Sequence, residues 1–171
     1  RAFREMVALD RFSLFFNLSF CFAAALTVML SIDWLPRRGA ERGEYYALIF
    51  FALLGMMLMA SGTDLIVIFL GLELMSVAVY VLAGINRKSP RAAEAALKYF
   101  LLGAFASGFL LYGIALTYGA TGTTNLTLIG LQIGTSELGR STMLLLGLGL
   151  LLIGFGFKVA AVPFHMWAPD V

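Results

Sequence analysis

The chain has 171 residues, of which 61% are hydrophobic and 13% charged, with a net charge of +2. A soluble domain carries charge on about a quarter of its residues, so this balance excludes an ordinary soluble globule, and nothing in it points to nucleic acid. The apolar residues come in long uninterrupted blocks of about twenty, the length that crosses a hydrocarbon core. An all-α integral membrane protein in contact with the lipid bilayer is the expected class, a soluble helical bundle being the alternative weighed against it.

Residues 1–11 read as an N-terminal flank, and 12–171 as one unit of five transmembrane helices. The first block is predicted over Phe12 to Ile32, the second over Tyr45 to Ser61, and the third over Leu65 to Gly84. Only Gly62, Thr63 and Asp64 separate the second from the third, which predicts a tight antiparallel hairpin. The fourth lies within Ala92 to Tyr118, and the fifth runs from Met143 to Trp167. Between those two, residues 119–142 are rich in Gly, Thr and Ser and read as a surface loop.

Arg37, Arg38, Arg42, Arg87, Lys88 and Arg91 fall on one side of this stack, and Arg1, Arg4, Arg11 and Arg140 on the other. The bias places the first group in the cytoplasm or its equivalent. The chain begins at Arg1 with no cleavable signal pattern, and is expected to be a segment of a longer polypeptide.

Several chemistries fall away. A single cysteine, Cys21, and a single histidine, His165, give no thiolate, haem or zinc site, so no metal is expected. No glycine loop follows a strand to cradle a phosphate. Small residues four apart, as in Gly103-x-x-x-Ser107 and Ala104-x-x-x-Gly108, read as helix packing.

What remains is a short set of charges inside apolar helices. Glu73 is ninth of the twenty residues of the third block, close to the midplane. A charge there costs about 3 kcal/mol by insertion scales, which makes a proton or ion site the default and a protonated structural residue the alternative. Lys158 lies about 4–5 Å from the middle of the fifth block, too deep for its stem to reach an interface. It reads either as a proton carrier or as half of a structural ion pair with Glu73. Pro163 lacks an N–H and crowds the carbonyl of Val159, so the last helix is expected to break near Pro163. His165, seven residues past Lys158, would continue a file of polar groups toward the cytoplasm; the alternative is an interfacial residue beside Trp167. Lys98 has Glu94 one turn earlier, and a snorkelling pair accounts for it without function.

The stretches "GLELMSVAVYVLAGINR", "EAALKYFLLGAFASGFLLYGIAL" and "GFGFKVAAVPFHMWAPDV" resemble the antiporter-like membrane subunits of respiratory complex I, and among them the subunit N branch of NADH–quinone oxidoreductases. The resemblance runs from about Phe12 to Val171. It implies one antiporter-like repeat, the first of two inverted repeats, and a proton-translocating membrane-arm subunit that couples quinone reduction to proton transfer. The family's buried carboxylate and its lysine in a discontinuous helix fall on Glu73 and Lys158, its lysine before KYFLL on Lys98, and its histidine in PFHxW on His165. Pairing and separation of Glu73 and Lys158 would move the proton. Shifting one charge across 150–200 mV takes about 3.5–4.6 kcal/mol, the scale of a pKa swing of about three units.

The resemblance implies no cofactor in this chain. NADH, FMN, iron–sulfur clusters and quinone would belong to partner subunits, and the partners would be the other membrane-arm subunits. It further implies a translocase subunit in the bacterial inner membrane, or alternatively the mitochondrial one. A sodium/proton antiporter or membrane hydrogenase subunit sharing the repeat is the rival, and a non-catalytic membrane scaffold the third reading.

Overall fold

A computed structural model describes residues 3, 5–37, 43–135, 141–169 and 171. Arg1, Arg4, Arg38, Arg42 and Arg140, which entered the charge bias, lie outside the described residues. Among the described residues six helices follow in order: α1 (Arg11–Arg37), α2 (Gly43–Ser61), α3 (Leu65–Ala83), α4 (Pro90–Thr121), α5 (Leu126–Thr135) and α6 (Thr142–Lys158). The first four are long and apolar enough to cross a membrane, and α6 is a shorter apolar helix. At 17 residues α6 covers roughly 25 Å, a little short of a hydrocarbon core about 30 Å thick.

Local chemistry fixes the helix starts. Asp10 and Ser13 form a reciprocal capping box at α1, with the Ser13 amide donating to Asp10 Oδ1 at 2.8 Å and the Asp10 amide to Ser13 Oγ at 2.9 Å. The Ser13 amide holds the Asp10 carboxyl below the usual carboxylate range. Ser89 caps α4 and Pro90 occupies its first turn, where the missing N–H costs nothing. At the other end of α4, Gly122 takes the left-handed conformation (φ 71°) that a side chain rarely adopts.

The predicted hairpin between α2 and α3 is present, and its tip is a junction. Asp64 caps α3 by accepting from the Ile66 amide at 2.9 Å, and its second oxygen accepts from Thr124 Oγ1 at 2.6 Å. Backbone bonds tie Leu65 to Thr124, Leu126 to Thr63, and Thr63 to Met6. Both the N-terminal flank and the segment after α4 are thereby pinned to the hairpin.

Residues 119–142 differ from the expected loop. Helix α4 continues to Thr121, and a ten-residue helix, α5, fills Leu126–Thr135. The Asn125 side chain accepts from the Thr127 and Leu128 amides and so starts α5, and Ile129 is buried against Leu65, Leu110, Ile114 and Leu151. Burial of that apolar side holds a segment whose glycines and threonines read as loop.

Helices α1 to α4 pack in sequence, and α6 packs on α4. The α4–α6 contact is backbone-tight. A methyl group at Gly113 would stand 2.8 Å from the Leu151 nitrogen, and one at Gly147 would stand 2.9 Å from Thr117 Oγ1. Helix α4 is therefore the platform that carries α6 beside α3.

Candidate functional site

The expected break exists, but it lies ahead of the proline. Helix α6 ends at Lys158, and Ala160 turns left-handed (φ 51°). The Ala161 amide reaches back to the Gly156 carbonyl at 2.8 Å, and the Ala160 amide to Phe157 at 3.0 Å. These two bonds make a Schellman motif, so the helix is closed by its own backbone before Pro163 is reached. Pro163 then sits in a turn closed by the Phe164 amide on the Ala161 carbonyl at 2.6 Å. Residues 162–169 are a chain of turns rather than the end of a helix.

Ending α6 at Lys158 has an electrostatic consequence. The last carbonyls of a helix carry partial negative charge, which favours a cation there. The side chain crosses to α3, where Nζ donates to Ser76 Oγ at 2.7 Å and to Tyr80 Oη at 3.0 Å. Ser76 donates its own proton to the Leu72 carbonyl at 2.6 Å, so its lone pairs are free for the ammonium. Lys158 is half-buried, and Ser76 is 0% exposed.

Glu73 sits one turn before Ser76 and two before Tyr80, so all three share one face of α3. Its Oε1 accepts from Ser107 Oγ of α4 at 2.5 Å. The direct Glu73–Lys158 ion pair expected from the sequence is not formed: each charge is held by hydroxyls, and no ion pair joins them.

An aromatic layer covers the lysine from the far side. Tyr80 meets Tyr99 edge-on at 4.7 Å, and Tyr99 stacks on Trp167 at 4.4 Å with the rings 12° apart. Trp167 Nε1 donates to the Phe157 carbonyl at 3.2 Å, which folds the post-helix turns back onto α6.

The remaining residues lie apart from this centre. Lys98 pairs with Glu94 at 2.7 Å, both side chains well exposed, beside a cleft of 350 Å³ that Arg91 and Pro169 help to line. His165 is exposed, and no hydrogen bond joins its side chain to Lys158. Its alignment assumed a helix that continues; once α6 stops at Lys158, a spacing of seven no longer keeps two residues on one face.

Ser76, Tyr80, Ser107 and Gly103 belong to the site and escaped the sequence reading. The signal was available for two of them, in the spacing Glu73-x-x-Ser76-x-x-x-Tyr80. Gly103-x-x-x-Ser107 read as packing, and Gly103 does pack: a methyl group there would stand 2.1 Å from Tyr80 Oη. Gly108, by contrast, faces open space.

These features define a polytopic helical membrane protein with an intramembrane lysine at a helix break, facing a carboxylate helix. Residues 62–171 match the profile of the family described as NADH:quinone oxidoreductase/Mrp antiporter, TM. The chain belongs to that family. It is 54% identical to NADH-quinone oxidoreductase subunit N of Trichlorobacter lovleyi over 99% of its length and 35% of that relative's. Among solved structures, it superposes on a chain of respiratory complex I from Thermus thermophilus with bound aureothin (TM-score 0.81, 42% identity, 100% of this chain and 36% of that one). It also superposes on a chain of the Mrp complex from Dietzia sp. (TM-score 0.72, 27% identity, 94% and 29%). The chain thus spans about a third of the length of the curated relatives it matches, 35% in the case above. Its spans and its relatives make it a multi-pass protein of the bacterial inner membrane.

Proposed function

We propose that this chain supplies the first antiporter-like repeat of a subunit N-type membrane subunit in a proton-translocating NADH–quinone oxidoreductase. The observation that carries the proposal is Lys158, which ends a broken helix and reaches across to the face of α3 that holds Glu73. A scaffold has no use for two charges placed at this cost in an apolar bundle.

In this reading Lys158 carries the proton and Glu73 governs its release. A carboxylate in contact stabilises an ammonium, and withdrawing the carboxylate weakens its hold. The hydroxyls of Ser76 and Tyr80 receive the ammonium when the pair is apart. Resemblance to the family assigns Lys98 and His165 to the proton path toward the cytoplasmic side, although both stand apart from Lys158 in this structure. NADH, FMN, iron–sulfur clusters and quinone belong to partner subunits, and the partners of this chain are the other membrane-arm subunits.

The test uses the assembled complex with the full-length subunit in proteoliposomes. Glu73→Gln is expected to reduce proton uptake per NADH oxidised at least several-fold while the complex still assembles, and Glu73→Asp to retain part of it. Uptake equal to wild type in Glu73→Gln would reduce that carboxylate to a structural role. Uptake that follows sodium rather than protons would favour the antiporter relatives instead.

A further inference from the structure

Three hydroxyls keep the two intramembrane charges apart. Ser107 holds Glu73 at 2.5 Å, while Ser76 and Tyr80 hold Lys158 at 2.7 and 3.0 Å. We propose that Tyr80 is a positioning residue that latches Lys158 in the arrangement separated from Glu73, with Ser107 occupying the carboxylate meanwhile. The inference rests on the proton-transfer reading above and assigns the groups that hold its separated state.

Ser76 cannot be the latch. It stands between Glu73 and Tyr80 on their common face, so a bond to it does not favour the arrangement separated from Glu73. Tyr80 lies one turn farther from Glu73, so a bond to it draws the ammonium away from the carboxylate.

The surroundings of Tyr80 fix where its hydroxyl stands. Tyr80 is 6% exposed, and its ring is met edge-on by Tyr99 at 4.7 Å and by Phe100 at 5.8 Å. Its hydroxyl is seated against Gly103, where even a methyl group would stand 2.1 Å away. A phenol so enclosed has no second position to follow a moving lysine. Lys158 must leave Tyr80 to reach Glu73, and Glu73 must leave Ser107 to receive it.

Bringing the charges together trades two charge-assisted hydrogen bonds, Ser107 to Glu73 and Lys158 to Tyr80, for one ion pair. The titratable groups around Lys158 are Glu73 and Tyr80 on α3 and Tyr99 on α4, with His165 exposed beyond the break and the Lys98–Glu94 pair exposed on α4.

The assembled complex carrying Tyr80→Phe keeps the ring and loses the hydroxyl. Its structure is expected to show Lys158 in direct contact with Glu73. The alkaline limb of its pumping profile is expected to move up, because contact with the Glu73 carboxylate holds the ammonium more strongly than the hydroxyl it replaces. Ser107→Ala, which frees the carboxylate, should move the limb in the same direction. So should Gly103→Ala, which displaces the hydroxyl without deleting it. An unmoved pH profile in Tyr80→Phe with Lys158 still on Ser76 overturns the latch, and so does a loss of assembled complex with no shift in pH. Wild-type pumping by Glu73→Gln would overturn the proton-transfer reading itself, so the two failures are told apart.

Discussion

Lys158 and Ser76 stand 82 positions apart in the chain and 2.7 Å apart in space. The close approach of α4 and α6 at Gly113 and Gly147 carries the end of α6 beside α3, and α6 ends at the lysine that makes the contact. The helix break, the platform helix and the hydroxyl partner are thus one arrangement, and each can be disturbed separately.

The break itself gives the first prediction. Ala160 holds a left-handed conformation that costs an L-residue about 1–2 kcal/mol and a glycine almost nothing. Ala160→Gly is expected to stabilise the solubilised complex by about 1 kcal/mol, read as a rise in its unfolding temperature. Pro163→Ala should leave α6 ending at Lys158, because the Schellman bonds precede the proline; a structure of that variant with a continuous helix would contradict this.

The platform gives the second. Gly113→Val pushes a branched side chain into the Leu151 and Gly147 backbone, a contact with no flexible side chain to give way. It should destabilise the α4–α6 pair by about 1–3 kcal/mol or more. Less assembled complex, with pumping per assembled complex also impaired, is the expected result. Gly108→Ala, facing open space, should show neither effect and serves as the control.

Some of this was legible in the sequence. Glu73 and Lys158 announce themselves because charge inside a twenty-residue apolar run is costly and therefore rare. The hydroxyls do not, because Ser, Thr and Tyr cost little in a transmembrane helix and commonly bond to their own backbone, as Ser76 does with Leu72. The break was legible and its position was not: Pro163 is a visible signal, whereas an alanine in a left-handed cap has none. The short α5 was hidden because its glycines and threonines read as loop, while what holds it is burial of Ile129 against residues distant in sequence. The direct ion pair was a reasonable expectation from two charges alone; it failed because three hydroxyls, read as packing residues or left unread, hold those charges first.

Lys98 gives the third prediction. Its pair with Glu94 is exposed, and such pairs contribute about 0–1 kcal/mol. Lys98→Met should therefore leave the amount of assembled complex nearly unchanged. If Lys98 stands on the proton path, coupled turnover should fall about two-fold or more at that constant amount. Unchanged coupled turnover would mark Lys98 as a surface pair only.

The measurement that bears most directly on the central claim is proton uptake per NADH oxidised in proteoliposomes carrying Lys158→Met in the full-length subunit. Methionine keeps an unbranched stem one atom shorter and removes the ammonium, so α6 should still end at the same place and the complex should still assemble. If Lys158 carries the proton, uptake falls to a small fraction of the wild-type ratio, and Lys158→Arg, which holds its charge but gives up no proton, does not restore it. Full uptake in Lys158→Met, at normal assembly, would contradict the account.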